Sequence, residues 1–424
     1  MTRAMKDSGI EWIGKIPTSW SVSRIGGQYE HRNQKVSDKD YQPLSVTKQG
    51  VLLQLETVAK SDAHDDRKLV REGDFVINSR SDRRGSCGIS AYSGSVSLIN
   101  TVLKPRSRMN PTYYNWLFHT IQFADEFYKW GHGIVDDLWT TRWQDMKKIT
   151  IPFPLLDEQQ KIADYLDKKC GEIDAIAAKI KEQITTLEEY KKSVISEAVT
   201  KGLNPNVPMK DSGIEWIGKI PANWEIKRTK YLASSISKGN GITKEDVNSD
   251  GNIQCIRYGE IYSKYKNCFL NTISATNLNK ISSPKHIFKG DILFAGTGEL
   301  VEEIGKNIVY LGDKPCLAGG DIIILRHHQN CKFLNYALCS SYVQLQKSIG
   351  KAKLKVVHIS STDIGNIYVA LPSPTEQKEI ADYLDSKCSQ VEETITDKQK
   401  QIETLEEYKK TIIYEYVTGK KEVA

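Results

Sequence analysis

No apolar run in this 424-residue chain approaches the roughly 18 to 20 residues that a membrane helix needs, and the first residues lack the apolar core of a secretory signal. A cytoplasmic protein without a membrane partner is the expectation. The eight cysteines, Cys87, Cys170, Cys255, Cys268, Cys316, Cys331, Cys339 and Cys388, form no C-x-x-C pair, and the histidines do not fall beside them at metal-ligand spacing. Reduced thiols and no metal site follow. Also missing are a Walker loop, a Ser or Cys nucleophile motif and a P-D…[DE]-x-K nuclease set. So is the Asn/Asp-Pro-Pro-Tyr/Phe tetrapeptide that holds a target amino group in methyltransferases of that kind. Each absence removes a class of catalyst, and no catalytic residue is expected. A net charge of +6 is a modest excess, compatible with nucleic acid without establishing it.

What is present is repetition. KDSGIEWIGKIPTSW, Lys6 to Trp20, returns as KDSGIEWIGKIPANW, Lys210 to Trp224. Downstream, EQQKIADYLDKKC from Glu158 matches EQKEIADYLDSKC from Glu376, and LEEYKKSVISEAVTKG from Leu187 matches LEEYKKTIIYEYVTGK from Leu405. Residues 21–150 and 225–368, between these flanks, share only traces: Gly73-Asp74 beside Gly290-Asp291, and YYNWLF beside FLNYAL. A scaffold kept alike around two divergent inserts implies one kind of task performed on two unlike targets.

The alike part predicts two long helices. From Ala163 the positions Leu166, Cys170, Ile173, Ala177, Ile180, Ile184, Leu187, Lys191, Val194 and Ala198 step by three and four. On the same frame fall Ala381, Leu384, Cys388, Val391, Ile395, Ile402, Leu405, Lys409, Ile412 and Tyr416, with Lys398 at a further seam place. Sustained 3-4 spacing is a coiled-coil seam. Asp157 with Gln160 predicts a capping box at the first helix, and Gly202 and Pro205 its end. At 1.5 Å per residue such a helix is a rod of roughly 64 Å. Antiparallel pairing of the two would relate the halves by a pseudo-twofold axis; packing of each helix on its own domain, or an intermolecular coil, are the alternatives. The equivalent seam lysines Lys191 and Lys409 either fix register or mark where the seam opens to a partner.

The predicted architecture is α+β: two globular domains separated by an antiparallel two-helix coiled coil. It runs as 1–156 (repeat element and first variable domain), 157–204 (central helix), 205–374 (second element and variable domain) and 375–424 (C-terminal helix).

The P-x-P-x-x-[DE]-E-Q-x-x-I-A-D-Y-L-D segment, the helix ending LEEYKKS-I and the repeated GIEWIGKIP-x-x-W resemble the specificity subunit of Type I restriction-modification enzymes over essentially the whole chain. The second copy has PSPTEQ where the first has PLLDEQ, and both keep Glu-Gln. The resemblance implies a non-enzymatic DNA-reading subunit. Each variable segment is then a target recognition domain for one half of a bipartite sequence in double-stranded DNA, and the helices set the spacing. It further implies two modification subunits bound to those helices, carrying S-adenosylmethionine and methylating adenine, with restriction subunits as further partners and no cofactor on this chain. The repeat independently suggests two copies of one partner surface.

For DNA contact the first half offers Ser79, Arg80, Arg83 and Arg84 after the run DFVIN, and Thr140, Thr141 and Arg142 after Gly131-His132-Gly133. The second offers Thr297 and Glu299 at the corresponding strand end, and Lys351, Lys353 and Lys355. The plain alternative for each is a solvated surface residue. Tyr113, Tyr114, Trp116 and Phe118 recur at helical spacing and are assigned to the core, while Trp12 and Trp216, in the duplicated element, are assigned to packing. Phe294-Ala295-Gly296-Thr297-Gly298 mimics the F-x-G-x-G turn of S-adenosylmethionine enzymes, but the first half has no such glycine pair, which favours a strand-turn. The rival functions are a stand-alone methyltransferase, favoured by cofactor binding to the chain alone, and a scaffold bridging two proteins without touching DNA.

Overall fold

The computed structural model describes residues 3–54, 65–106, 109–133, 139–248, 250–298, 303–351 and 357–423. Two compact units emerge, one of Met1–Lys181 with Gln399–Ala424, the other of Glu182–Lys398.

In the first unit the repeated peptide folds as a hairpin, Met5–Asp7 against Lys15–Pro17, and Ser21–Arg24 then pairs with Thr150–Phe153. Between these lies an antiparallel sheet in the order Cys87–Ile89, Phe75–Asn78, Asn100–Pro105, Tyr29–His31, beside a smaller three-stranded sheet. The second unit repeats the plan with the hairpin Met209–Asp211/Lys219–Pro221 and the pair Glu225–Arg228/Tyr368–Leu371. Its larger sheet runs Cys268–Phe269, Asn307–Tyr310, Ile292–Ala295, Ile322–His327, Ala233–Lys238. Four of these five strands reproduce the order of the first unit; the Cys268–Phe269 edge strand, parallel to its neighbour, is an addition.

The sparse sequence traces mark structural anchors. Asp74 and Asp291, each 2% exposed, accept paired hydrogen bonds from Arg32 (2.6 and 3.1 Å) and Arg326 (3.0 and 2.8 Å) and close the turn leading into the central strand. Buried carboxylates persist where a bidentate guanidinium answers them. YYNWLF and FLNYAL lie in the helices Pro111–Phe118 and Cys331–Cys339, capped by Asn110 and Asn330, whose side chains each accept from the backbone N–H three residues on at 3.0 Å.

The two predicted helices are continuous over Leu156–Lys201 (46 residues) and Pro374–Val417 (44 residues). Within the first unit Leu166, Cys170 and Ile173 pack with Ile412 and Val417, and the Tyr165 and Tyr416 rings lie 4.4 Å apart. Inside the second unit Lys191 pairs with Glu392 and Lys398 donates to Gln183 at 2.7 Å. In both, rising numbers on one helix meet falling numbers on the other, so the pairing is antiparallel. Ile180, Val194, Leu384, Val391, Ile395, Ile402 and Leu405 are buried or half-buried, as are Ile184 and Leu187. The seam lysines face carboxylates across the pair: Lys409 lies 2.7 Å from Asp174, the repeat equivalent of the Lys191–Glu392 contact. Their role is register.

Where strand, helix start and helix end meet sits a tryptophan from the repeated peptide. Trp20, 1% exposed, donates its indole N–H to Glu158 at the start of the first long helix (2.7 Å) and packs on Gly419 at the end of the second. Trp224, fully buried, donates to Glu376 at the start of the second helix (2.9 Å) and packs on Gly202 at the end of the first. Both glycines have positive φ, +73° and +70°, and a Cβ would come to 3.2 Å from Trp224 or 2.9 Å from Trp20. The helix-stop glycine thus satisfies the left-handed turn and makes room for the indole. The neighbouring glutamines finish the joint. Gln159 accepts from Asn110 N–H and donates to the Pro154 carbonyl, both at 2.8 Å; Gln377 does the same with Asn330 and Pro372, both at 3.0 Å.

Three expectations need correction. The capping box does not form: the first helix begins at Leu156 with Leu155 C=O accepting its first bonds, and Gln160 instead accepts from Asn110 and donates to Asp164, both at 2.6 Å. Trp216 is 40% exposed, whereas Trp12 packs edge-on to Phe123 at 6.0 Å. Trp116 is half-buried beside the core that holds Tyr113, Tyr114 and Phe118, because its indole N–H reaches out to Asp167.

Burial pushes the Cys87 and Cys316 thiols up to about 12 and those of Cys170 and Cys255 up to about 11, so they stay protonated. Lys347 is the other buried titratable group of note. Only 2% exposed, its ammonium donates to the Gly305 and Leu338 carbonyls and to Asn307 Oδ1, each at 2.8 Å, with no carboxylate answering it among the described residues. Burial lowers its pKa from 10.5 to about 8. The unfolded chain therefore holds a proton between about pH 8 and 10.5 that the folded chain releases, so this group makes stability rise with pH across that window. Denaturation of the chain at pH 8 and pH 10 should show a gain at the higher pH that Lys347→Met reduces by about 2 kcal/mol; an identical pH dependence in the variant would contradict the assignment.

Candidate nucleic-acid interface

In the first unit the chain leaves the Phe75–Asn78 strand and runs into the single turn Ser81–Arg83. The 139–142 segment lies alongside: Thr141 N–H donates to Ser79 C=O at 2.9 Å, Ser81 N–H to Trp139 C=O at 3.0 Å, and Arg80 bridges Thr140. The two clusters picked from separate stretches are thus brought together. They divide by orientation. Ser79 and Thr141 turn inward, bonded to Thr101 Oγ1 at 2.9 Å and the Phe127 carbonyl at 2.8 Å, and are 3% and 0% exposed. Their expected role as DNA contacts is corrected: hydroxyls spent on the interior hold the loops together. Arg83 and Arg142 are exposed; Arg80 and Arg83 lie 3.6 and 3.8 Å from Asp82, and Arg84 pairs with Asp125. Exposed ion pairs of this kind are worth little and exchange readily for phosphate.

The second unit repeats the junction. Ile359 N–H donates to Gly296 C=O at 2.9 Å, equivalent to the Thr141–Ser79 bond, and Thr297–Gly298 pairs with Val357–His358. Thr297 Oγ1 lies 3.1 Å from His358 Nδ1. Lys351 is drawn back to the His358 carbonyl (2.6 Å) and to Asp363 (2.9 Å), so its charge closes a turn. Glu299, Lys353 and Lys355 lie outside the described residues.

The F-x-G-x-G mimic is a packing motif. Phe294 and Ala295 are fully buried, and a Cβ on Gly296 would meet the Asp321 carbonyl at 2.8 Å, where Gly296 N–H instead donates at 2.7 Å. Gly296 serves close strand approach. Among the described residues no three His, Cys, Asp or Glu side chains converge as a metal site, and no helix is long and apolar enough to cross a membrane.

Sequence reasoning missed the residues that join each sheet to its helix, namely Trp20, Glu158, Gln159 and Asn110 and their second-unit equivalents. Their repetition was the available signal; their partners lie 49 to 138 residues apart in the first unit and no spacing rule connects them.

Comparison with known proteins agrees with this anatomy. The Type I restriction modification DNA specificity domain matches residues 17–186 and again 221–406. The MjaVIII specificity subunit of a Type I restriction enzyme of Methanocaldococcus jannaschii is 26% identical over 429 residues, covering 96% of this chain and 94% of that one. A putative MjaX specificity subunit of the same organism is 24% identical over 435 residues, at 96% and 95% coverage. Among solved structures, a chain from a study of complex assembly and conformational transition of the type I R-M system superposes with a TM-score of 0.70 at 15% identity, covering 95% of this chain and 99% of that one. The HsdS subunit from Thermoanaerobacter tengcongensis gives 0.51 at 16% identity, with 95% and 98% covered. The doubled domain match spans most of the sequence and coincides with the doubled fold, so the chain belongs to the Type I restriction-modification DNA specificity family.

Proposed function

We propose that this chain is the non-catalytic specificity subunit of a Type I restriction-modification complex, with each unit reading one half of a bipartite target in double-stranded DNA. One observation carries the reading: the same two loops converge in both units through the same backbone bond, Thr141 to Ser79 and Ile359 to Gly296, while the side chains they present differ completely. A constant frame with exchanged loop chemistry suits two readers of unlike sequence. The paired helices set the distance between half-sites. Their exposed faces bind two modification subunits, which bring S-adenosylmethionine and methylate adenine; restriction subunits complete the endonuclease. Double-stranded DNA and these subunits are the partners, and this chain supplies no cofactor site of its own.

Mapping methylated adenines in a host with and without the chain tests this directly, since a bipartite motif about one helical turn between half-sites should appear only with it. A chain that methylated alone would overturn the non-catalytic role. The ruler is tested by inserting one heptad after Gln183 and one after Lys398, which face each other. The spacer should lengthen by up to about 3 base pairs, from a rise of about 1.5 Å per residue, with both half-sites unchanged; altered half-sites with a constant spacer would contradict it. In the first unit Arg83→Ala should weaken binding of the assembled complex evenly across sequences and lower the salt slope by about 1, measured by anisotropy against ionic strength.

A further inference from the structure

The second unit contains a cleft of about 710 Å³ that lies next to the Thr297 junction. One wall is the short helix Tyr258–Ser263 with Arg257 just before it; the others are the 241–244 segment and the Gly319-Gly320-Asp321 turn. Hydrogen bonds tie these walls to one another and to the junction. Gly296 N–H donates to Asp321 C=O at 2.7 Å, Gly319 N–H to Ile256 C=O at 2.8 Å, and the Tyr262 hydroxyl to Thr297 C=O at 3.0 Å. Tyr258 stands at the lining, 40% exposed.

The charges in this cleft are arranged unevenly. Its two carboxylates are engaged: Glu260, 5% exposed, accepts from Arg257 Nη2 at 3.3 Å and from the Ser274 hydroxyl, and Asp321 lies 3.4 Å from Lys238. Its cations, Arg257, Lys244 and Lys264, line the same space, and the two lysines have no carboxylate within ion-pair distance among the described residues. Arg257 is the most constrained. Its own backbone N–H is also bonded to Glu260, at 3.1 Å, so one buried carboxylate fixes both the main chain and the guanidinium, whose Nε finds no acceptor among the described residues. A guanidinium oriented in this way loses little conformational freedom on meeting a planar pair of acceptors. The glycine walls at 241, 319 and 320 let a ligand approach the backbone.

We infer that this cleft is a DNA-binding subsite of the second unit and that Arg257 is its anchor, its fork engaging a pair of acceptors on the duplex. A guanine edge through O6 and N7, or a phosphate through two oxygens, both present that chemistry. Lys244 and Lys264 hold the flanking backbone. The assignment rests on the DNA-reading function proposed above and adds to it a place and a residue, in a stretch where no cluster of basic residues draws attention.

The test uses the assembled complex, with methylated adenines mapped in the host and binding to a duplex carrying the wild-type motif measured by anisotropy. Arg257→Gln should weaken binding roughly 5- to 150-fold. If the partner is guanine, the methylation motif becomes degenerate at one position of one half-site and the other half stays intact. If it is phosphate, affinity falls evenly and the salt slope drops. Because Arg257 touches the buried Glu260, the paired change Arg257→Gln with Glu260→Gln guards against a folding defect, and Lys264→Ala probes the cleft from an exposed position. Unchanged motif, affinity and salt slope in these variants would overturn the inference while wild type still yields a bipartite motif. Failure of the wild type to yield such a motif would instead remove the functional reading beneath it.

Discussion

Two indole N–H groups hold this architecture in order. Each of Trp20 and Trp224 bonds a glutamate at the start of one long helix and packs on a glycine at the end of the other. A hydrogen bond to a charged acceptor contributes roughly 1.5–3 kcal/mol, and a fully buried indole adds roughly 4–6 kcal/mol of transfer free energy, from 150–250 Å² at about 25 cal/mol per Å². Burial of the ring binds the ends together, and the weaker hydrogen bond selects the geometry. Within each unit the antiparallel pairing is closed by its tryptophan, with Lys409–Asp174 setting register in the first and Lys191–Glu392 in the second.

The same joint carries the recognition sheets. Gln159 and Gln377 take the backbone N–H of the asparagines that cap the first sheet-packing helix in each unit. A buried polar network with every member satisfied is rigid and costly to rearrange, so each sheet is oriented with its helix as one body. Divergence is then tolerated wherever it leaves the joint alone. The loops at 79–84 and 139–142 and their second-unit counterparts meet this condition, and so does the Arg257 cleft, whose charges are organised by Glu260 and not by the scaffold.

Much of this was legible in the sequence because repetition and periodicity are local signals. The 3-4 seam named both helices, and the doubled peptide marked a repeated surface without showing that its tryptophan joins the two helix ends. Residues whose role depends on distant contacts were misjudged. Ser79 and Thr141 read as loop hydroxyls because nothing in their neighbourhood announces that Thr101 and the Phe127 carbonyl await them. Lys347 drew no reading at all, because the carbonyls of Gly305 and Leu338 and the Asn307 side chain that hold it come from other segments. Gln160 matches a capping box in spacing, yet Asn110 competes successfully for its side chain. Tertiary partners overrode local pattern in each case.

Native-state hydrogen exchange on the full chain carrying Trp20→Phe tests the central joint most directly. Peptides 156–166 and 412–420 should lose protection together by about tenfold or more, the equivalent of the lost bond to a charged acceptor, while 374–384 and 195–202 keep theirs. Loosening of 156–166 in company with 374–384, or of the hairpin alone with both helix ends unaffected, would contradict an antiparallel pair closed at its ends by the repeated tryptophan.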